Sequence, residues 1–274
     1  FACGANLKGN SDTEVILEAI EAWGLEKAVK RFIGMFAIAL WDRSERTLHL
    51  IRDRLGVKPL YWGRQGNLLL FGSELKALRA HPDWTPEINR GALVAYFRYA
   101  YVPAPHSIYT GIEKQLPGTI ISIGPDGNAR TTTYWSLADI RDANKKNLFR
   151  GADDEAADEL DRLIRESVEL RMVSDVPIGA FLSGGIDSST VVGAMQAISP
   201  RPVKTFTIGF EEAAFNEAES AKRIAGHLGT DHTELYVSPA EARDIIPRLA
   251  EVYDEPFADS SQIPTTLVSQ LARK

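Results

Sequence analysis

The 274-residue chain contains one cysteine, Cys3, and five histidines. A single thiol closes no intramolecular disulfide, so the fold rests on its core alone, and a reducing compartment such as the cytoplasm is the expected setting. The histidines show no metal-ligand spacing. His227 and His232 fall at a helix end and a strand start, where structural roles come first, and neither a Ser-His-Asp arrangement nor a CxxC pair occurs. No apolar run approaches the roughly 18 residues of a membrane-spanning helix, which argues against a membrane protein. Positive charge is in deficit, with 31 Lys and Arg against 37 Asp and Glu for a net charge of −6. That balance argues against nucleic-acid binding and leaves room for a small anionic ligand held locally. An initiator Met and a signal-peptide pattern are missing too. The chain opens on Phe1 and stops inside the helix-like "TTLVSQLARK" with no Gly or Pro after it, so both ends read as those of a fragment.

What is present is ample apolar material, 44% of residues, enough for two ordinary domains. "NSDTEVILEAIEAWG" reads as an amphipathic helix with Ser11 or Asp12 as N-cap and Gly24 as stop. "MFAIALWD" and "TLHLIRD" form a hairpin expected to be buried on both faces, and "PLYWG" and "NLLLFG" repeat the pattern around "RQG". "SELKALRAH" and 88–100 read as helices, with Glu74 and Lys76 capping and solvating the first. "PGTIISIGPDGNARTTTYW" is a hairpin turning at Pro125 to Asn128. "RDRLGVKPLY" is mostly architecture, with Arg52 and Asp53 structural and Gly56 and Pro59 in turns. A first domain over 1–135, a polar linker over 136–152 and a second domain over 153–274 follow.

In the second domain the period changes. A long helix carries Leu160, Leu163, Ile164 and Leu170 on its apolar side. Strands "PIGAFLS", "VKTFTIGF" and "HTELYVS" then alternate with helices over 187–198, 216–228 and 240–253, the pattern of a doubly wound parallel α/β sheet.

The stretch "AFLSGGIDSSTVVGAM" carries the chemistry. Ligands of open parallel sheets sit at the carboxyl ends of strands, where Ser183 lies. Gly184 and Gly185 let backbone N–H groups approach an anion at the positive end of the following helix. Ser183, Ser188 and Ser189 offer hydroxyls. Asp187 would repel a phosphate unless a hard cation such as Mg²⁺ stood between them. No Lys follows the glycines, which excludes the GxxxxGK[ST] loop and its γ-phosphate chemistry. A plain strand-to-helix turn, with Asp187 and Ser188 as caps, is the competing reading.

SGGIDSS resembles the SGGxDS pyrophosphate loop of ATP pyrophosphatases of the asparagine synthetase class, and "MVSDVPIGAFL" and "TFTIGF" are similar to the flanking pattern. "SDTEVIL", "GMFAIALWD", "RDRLGVKPLYW" and "SELKAL" resemble, in order, the glutamine amidotransferase domain of the same family. The resemblance implies an N-terminal-nucleophile α+β domain of αββα layers followed by the doubly wound ATP-pyrophosphatase domain. It implies glutamine-dependent amidation of aspartate through an acyl-adenylate, with ATP and Mg²⁺ as cofactors, glutamine, aspartate or another carboxylate and ATP as small-molecule partners, and a homodimer. Leu182 and Ile208 would line the nucleotide site, with Gly209 leaving room beside them. Ser183, Gly184, Gly185, Ser188 and Ser189 would hold pyrophosphate, and Asp187 the Mg²⁺.

By the same resemblance Asp12, as a buried carboxylate, would hold the α-amino group of glutamine; an N-cap is the other reading. Cys3 is not the nucleophile, because it lies only nine residues before Asp12. The catalytic Cys is expected before Phe1, and an acidic loop with a second Mg²⁺ ligand after Lys274. Asp254, Glu255 and Asp259 are either part of the acceptor pocket or a solvated acidic loop. The alternative readings are a relative that amidates another carboxylate, such as a sugar acid or a peptide side chain, a β-lactam synthetase-like enzyme with an inert first domain, and a nucleotide-binding regulator without turnover, against which the intact SGGIDSS speaks.

Overall fold

A computed structural model describes residues 7–9, 11–210 and 217–273. Cys3, Lys274 and residue 216, the expected start of a helix, lie outside the described residues. The chain divides into two compact units, 1–148 and 149–274.

In the first unit Ser11, not Asp12, caps helix α1 (Asp12–Trp23): its hydroxyl accepts from Thr13 N–H at 3.2 Å, and Gly24 ends the helix at φ 75°. Helix α2 (Leu25–Arg31) follows. Strands β1 (Ala37–Asp42), β2 (Thr47–Arg52), β6 (Thr119–Ile123) and β7 (Ala129–Thr133) form an antiparallel sheet in the order β1-β2-β6-β7. Strands β3 (Tyr61–Gln65), β4 (Leu68–Gly72) and β5 (Ile112–Lys114) form a second, ordered β4-β3-β5. Leu50, Ile121 and Ile123 of one sheet pack with Leu60, Trp62 and Leu69, the last two from the other sheet. On the outer faces Ile51 and Ile120 meet Val29 of α2, while Leu70 and Ile112 meet residues of α3 (Leu75–Arg79) and α4 (Arg90–Tyr99). Helix, sheet, sheet and helix therefore stack in four layers. The expected double-faced burial holds for β2 but not for β1, whose Trp41 is 54% exposed. The reason is position: β1 is the edge strand.

The turn after β2 carries a dense polar knot. Asp53, 1% exposed, accepts from Val57 N–H and Lys58 N–H at 2.9 Å each and from Leu55 N–H at 3.2 Å. Arg52 donates to the carbonyls of Gly56 (2.8 Å), Lys58 (2.9 Å) and Gln115. Gln115 in turn donates from its amide to the Leu50 and Thr119 carbonyls at 2.9 Å. "RDRLGVKPLY" is thus architecture. Glu74, by contrast, makes no side-chain cap on α3 and instead pairs with Lys76 at 3.1 Å.

The polar stretch after Trp135 holds helix α5 (Leu137–Asn144), started by Ser136, whose hydroxyl accepts from Asp139 N–H. A local cap made a helix where composition suggested only a linker.

In the second unit α6 (Asp153–Glu169) uses only part of its apolar side. Val168 is buried and Ile164 packs beside it, whereas Leu160, Leu163 and Leu170 are exposed. Strands β8 (Gly179–Phe181), β9 (Lys204–Phe210) and β10 (Asp231–Val237) run parallel in the order β10-β9-β8, linked by α7 (Ile186–Ile198) and α8 (Ala218–Leu228). The expected helix over 240–253 is three pieces: α9 (Pro239–Ile245), a 3-10 turn over 246–248 and α10 (Leu249–Val252). Pro247 has no N–H and its ring crowds the preceding turn, so a continuous helix is interrupted there. Helix α11 (Gln262–Ala272) packs against β9. No described helix is long and apolar enough to cross a membrane.

Asp53→Ala removes the shared acceptor of three partly buried N–H groups. It should lower the urea-unfolding stability of the first unit by about 2–4 kcal/mol, at about 1 kcal/mol for each lost hydrogen bond to the charged carboxylate, with Asp53→Asn losing less.

Candidate functional site

The chain leaves β8 at Ser183 and enters α7 through Gly184, which holds φ 80°. A Cβ there would lie 2.9 Å from Ser220 Cβ and 3.0 Å from Ala221 N, both in the first turn of α8. Conformation and space both demand glycine at this position. Gly185 is the N-cap of α7 and brings no capping side chain, so the first-turn N–H groups receive none. Asp187 lies in that first turn, exposed to solvent; it is not the cap, and neither is Ser188.

The loop hydroxyls bond to one another. Ser183 Oγ and Ser188 Oγ are 3.0 Å apart, Ser183 N–H donates to Ser188 Oγ at 3.3 Å, and Ser188 Oγ also reaches the Gly185 carbonyl at 3.2 Å. Ser189 donates to the Gly185 carbonyl at 2.7 Å, which commits its proton to its own helix. Ser183 and Ser188 are therefore the exchangeable pair, able to turn from each other toward an anion.

Sequence reasoning grouped Leu182 and Ile208, but the sheet separates their side chains. Leu182, 1% exposed, packs with Val192 of α7 and Ala221 and Ala225 of α8. Phe181 pairs with Phe206, so Leu182 shares its face with Thr207 and Gly209, and Ile208, one residue out of phase, points to the opposite face. Only the backbone of Leu182 is placed to meet a ligand at the strand end. The room expected at Gly209 is taken: a Cβ there would lie 2.7 Å from the Tyr236 ring and 3.0 Å from Ala218 Cβ.

The remaining candidates are scattered. Asp12 is exposed in the first turn of α1, so it is not the buried carboxylate expected. Its neighbour Glu14 is the one engaged with backbone, accepting from Lys8 and Gly9 N–H at 2.7 Å each. Asp254 and Glu255 are half-buried, whereas Asp259 is exposed and accepts from Ser261 N–H at 2.8 Å. Hydrogen bonds from the Ser261 backbone and hydroxyl hold the Asp259 carboxyl below its usual pKa. No group of three potential metal-ligating side chains occurs among the described residues. Asp187 alone fits Mg²⁺ only in the way that ion commonly binds, through one or two carboxylates shared with substrate phosphates. Ser220, the residue against Gly184, carried no sequence signal, because only packing brings α8 to the loop.

A glutamine amidotransferase domain model matches residues 2–135 and an asparagine synthase model residues 159–274. A Bacillus subtilis protein, asparagine synthetase (glutamine-hydrolyzing) 1, is 35% identical over 273 residues, covering 100% of this chain and 42% of that protein. A Methanocaldococcus jannaschii relative is 38% identical over 269 residues, covering 96% of this chain and 50% of its own length. The chain belongs to the glutamine-hydrolysing asparagine synthetase family. It spans about half the length of these relatives. Among solved structures, Bacillus subtilis glutamine phosphoribosylpyrophosphate amidotransferase is 16% identical, covers 84% of this chain and 40% of that chain, and has a TM-score of 0.34, too slight a likeness to bear on the fold.

Within this asparagine synthetase-family chain, Gly184→Ala forces a Cβ into the left-handed region at about 1–2 kcal/mol and into contact with α8. Thermal unfolding should register a lower midpoint for the second unit, with Gly185→Ala far milder, since Gly185 sits at φ −77°.

Proposed function

We propose that the intact protein makes asparagine from aspartate, using glutamine as nitrogen donor and ATP as energy source. Family membership supports the reaction class, and one observation carries the site: Gly184 turns the chain so that the uncapped start of α7, with Ser183 and Ser188 beside it, faces one point at the end of β8. In this reading the first unit is an N-terminal-nucleophile glutaminase domain, supported by its four layers. The second is the start of a doubly wound ATP-pyrophosphatase domain, supported by the parallel strands with crossover helices. The domains span 1–135 and 153–274, joined by 136–152.

The acceptor carboxylate oxygen attacks the α-phosphorus of ATP. The bond to the bridging oxygen breaks, pyrophosphate leaves and an acyl-adenylate forms. Ammonia from glutamine then attacks the acyl carbon, releasing AMP and the amide. The N–H groups of residues 186–188 and the hydroxyls of Ser183 and Ser188 take up charge growing on the departing pyrophosphate, a role for preorganised dipoles that needs no rearrangement of the helix. Asp187 would hold Mg²⁺, which supplies positive charge against that leaving group. Leu182 contributes backbone at the strand end, Ile208 and Gly209 the neighbouring strand end, and Asp254, Glu255 and Asp259 a rim for the acceptor. Asp12, exposed at the start of α1, would meet the ammonium of glutamine in the first unit.

ATP/pyrophosphate exchange on the full-length protein, dependent on aspartate, tests this. Absence of exchange with every carboxylate tried overturns it. Asp187→Asn, at an exposed position, should keep the fold by circular dichroism and slow exchange by about 10²-fold. Asp12→Asn should weaken synthesis supported by glutamine and leave that supported by free ammonia intact.

A further inference from the structure

The first turn of α8 touches both glycines that flank the proposed nucleotide site. A Cβ on Gly209 would meet Ala218 Cβ at 3.0 Å, and one on Gly184 would meet Ser220 Cβ at 2.9 Å, Ala221 N at 3.0 Å and Ser220 Oγ at 3.1 Å. The helix comes this close because it is seated on small residues: Ala218 and Ala221 are 0% exposed and Ala225 1%. Ala218 lies against the end of β9 and Ala221 and Ala225 share a cluster with Leu182 of the loop strand, so neither helix nor strand can shift without opening that cluster. Ser220 presents its side chain to the loop backbone at Gly184.

We propose that Ser220 is a positioning residue of the pyrophosphate loop. Its Cβ forms the wall that holds Gly184 in its left-handed turn, and bulk added at that Cβ sets how far the loop N–H groups stand from the bound anion. This rests on the pyrophosphate-loop reading above. Two physical points support the assignment. The contact is made through atoms close to both backbones, which cannot swing aside as the end of a long side chain would. The loop it supports is bonded within itself mainly through Ser183 and Ser188, a pair free to re-aim, so its trajectory is held from outside. A misplacement of about an ångström in such a site can cost about 10²-fold in rate.

Two variants on the full-length protein separate the wall from the hydroxyl. Ser220→Val adds branched bulk at Cβ toward Gly184, and Ser220→Ala keeps the Cβ and removes only Oγ. Calorimetric titration with magnesium pyrophosphate and the kinetics of aspartate-dependent exchange are the readouts. Ser220→Val should weaken magnesium pyrophosphate binding about tenfold at unchanged stoichiometry and slow aspartate-dependent exchange by about tenfold or more, with the native circular-dichroism signal kept. Ser220→Ala should behave as wild type. If Ser220→Val binds pyrophosphate as tightly as wild type, the wall is not what positions the loop and the proposal falls. It falls too if Ser220→Ala weakens pyrophosphate binding as much as Ser220→Val does, or if Ser220→Val lowers the binding stoichiometry together with the native circular-dichroism signal, the mark of a merely structural residue. A wild-type protein that binds no pyrophosphate overturns the functional reading and this inference with it, whereas a proposal failing alone leaves wild-type binding intact.

Discussion

The first turn of α8 lies so close to the loop after β8 that a Cβ at Gly184 would stand 2.9 Å from Ser220 Cβ. That packing constraint organises the second unit. It sets the left-handed turn that ends β8, fixes where α7 begins, and orients the uncapped N–H groups of α7 toward the strand ends. The seat of α8 depends on Ala218, Ala221 and Ala225, whose small side chains let helix and sheet backbones approach without a void. The chemistry proposed for the loop is therefore a consequence of alanines that touch no ligand.

The first unit has its own constraint in a buried carboxylate. Asp53 gathers three N–H groups of the turn after β2, and Arg52 beside it gathers three carbonyls from that turn and from Gln115. Gln115 carries the tie onward to β2 and to the start of β6. The Tyr134 hydroxyl closes the same knot by donating to the Arg52 carbonyl at 2.8 Å. Burial pushes its pKa up to about 12, so it remains a donor throughout the range in which proteins work. The Asp53 carboxylate, the Arg52 guanidinium and the Tyr134 hydroxyl all find partners here, whereas the buried Gln115 Oε1 has none among the described residues.

The two units solve similar problems differently. Where the first turns a strand into a loop, it spends charged side chains on backbone groups. Where the second turns a strand into a helix at the candidate site, it leaves backbone groups unspent and supports the turn by packing from behind. Unspent donors at a helix start are what an anion can use.

Local features were readable from the chain alone. Hydrophobic periods placed α1, the β1-β2 and β3-β4 hairpins, the long α6 and the alternation of strands and helices in the second unit, because side-chain spacing follows directly from helix and strand geometry; that the two hairpins belong to different sheets was decided by packing. The glycines and serines of "SGGIDSS" marked the loop, and the missing Lys with the present Asp187 narrowed its chemistry. Tertiary structure decided the rest. It placed β1 at an edge and exposed its Trp41, broke the helix at Pro247, left Asp12 exposed with Ser11 as the cap, and put the side chains of Leu182 and Ile208 on opposite faces. It also filled the space at Gly209 with Tyr236 and brought Ser220 against Gly184. Those outcomes depend on which distant element packs where, and contacts between residues far apart in sequence leave no period or motif in the chain that makes them.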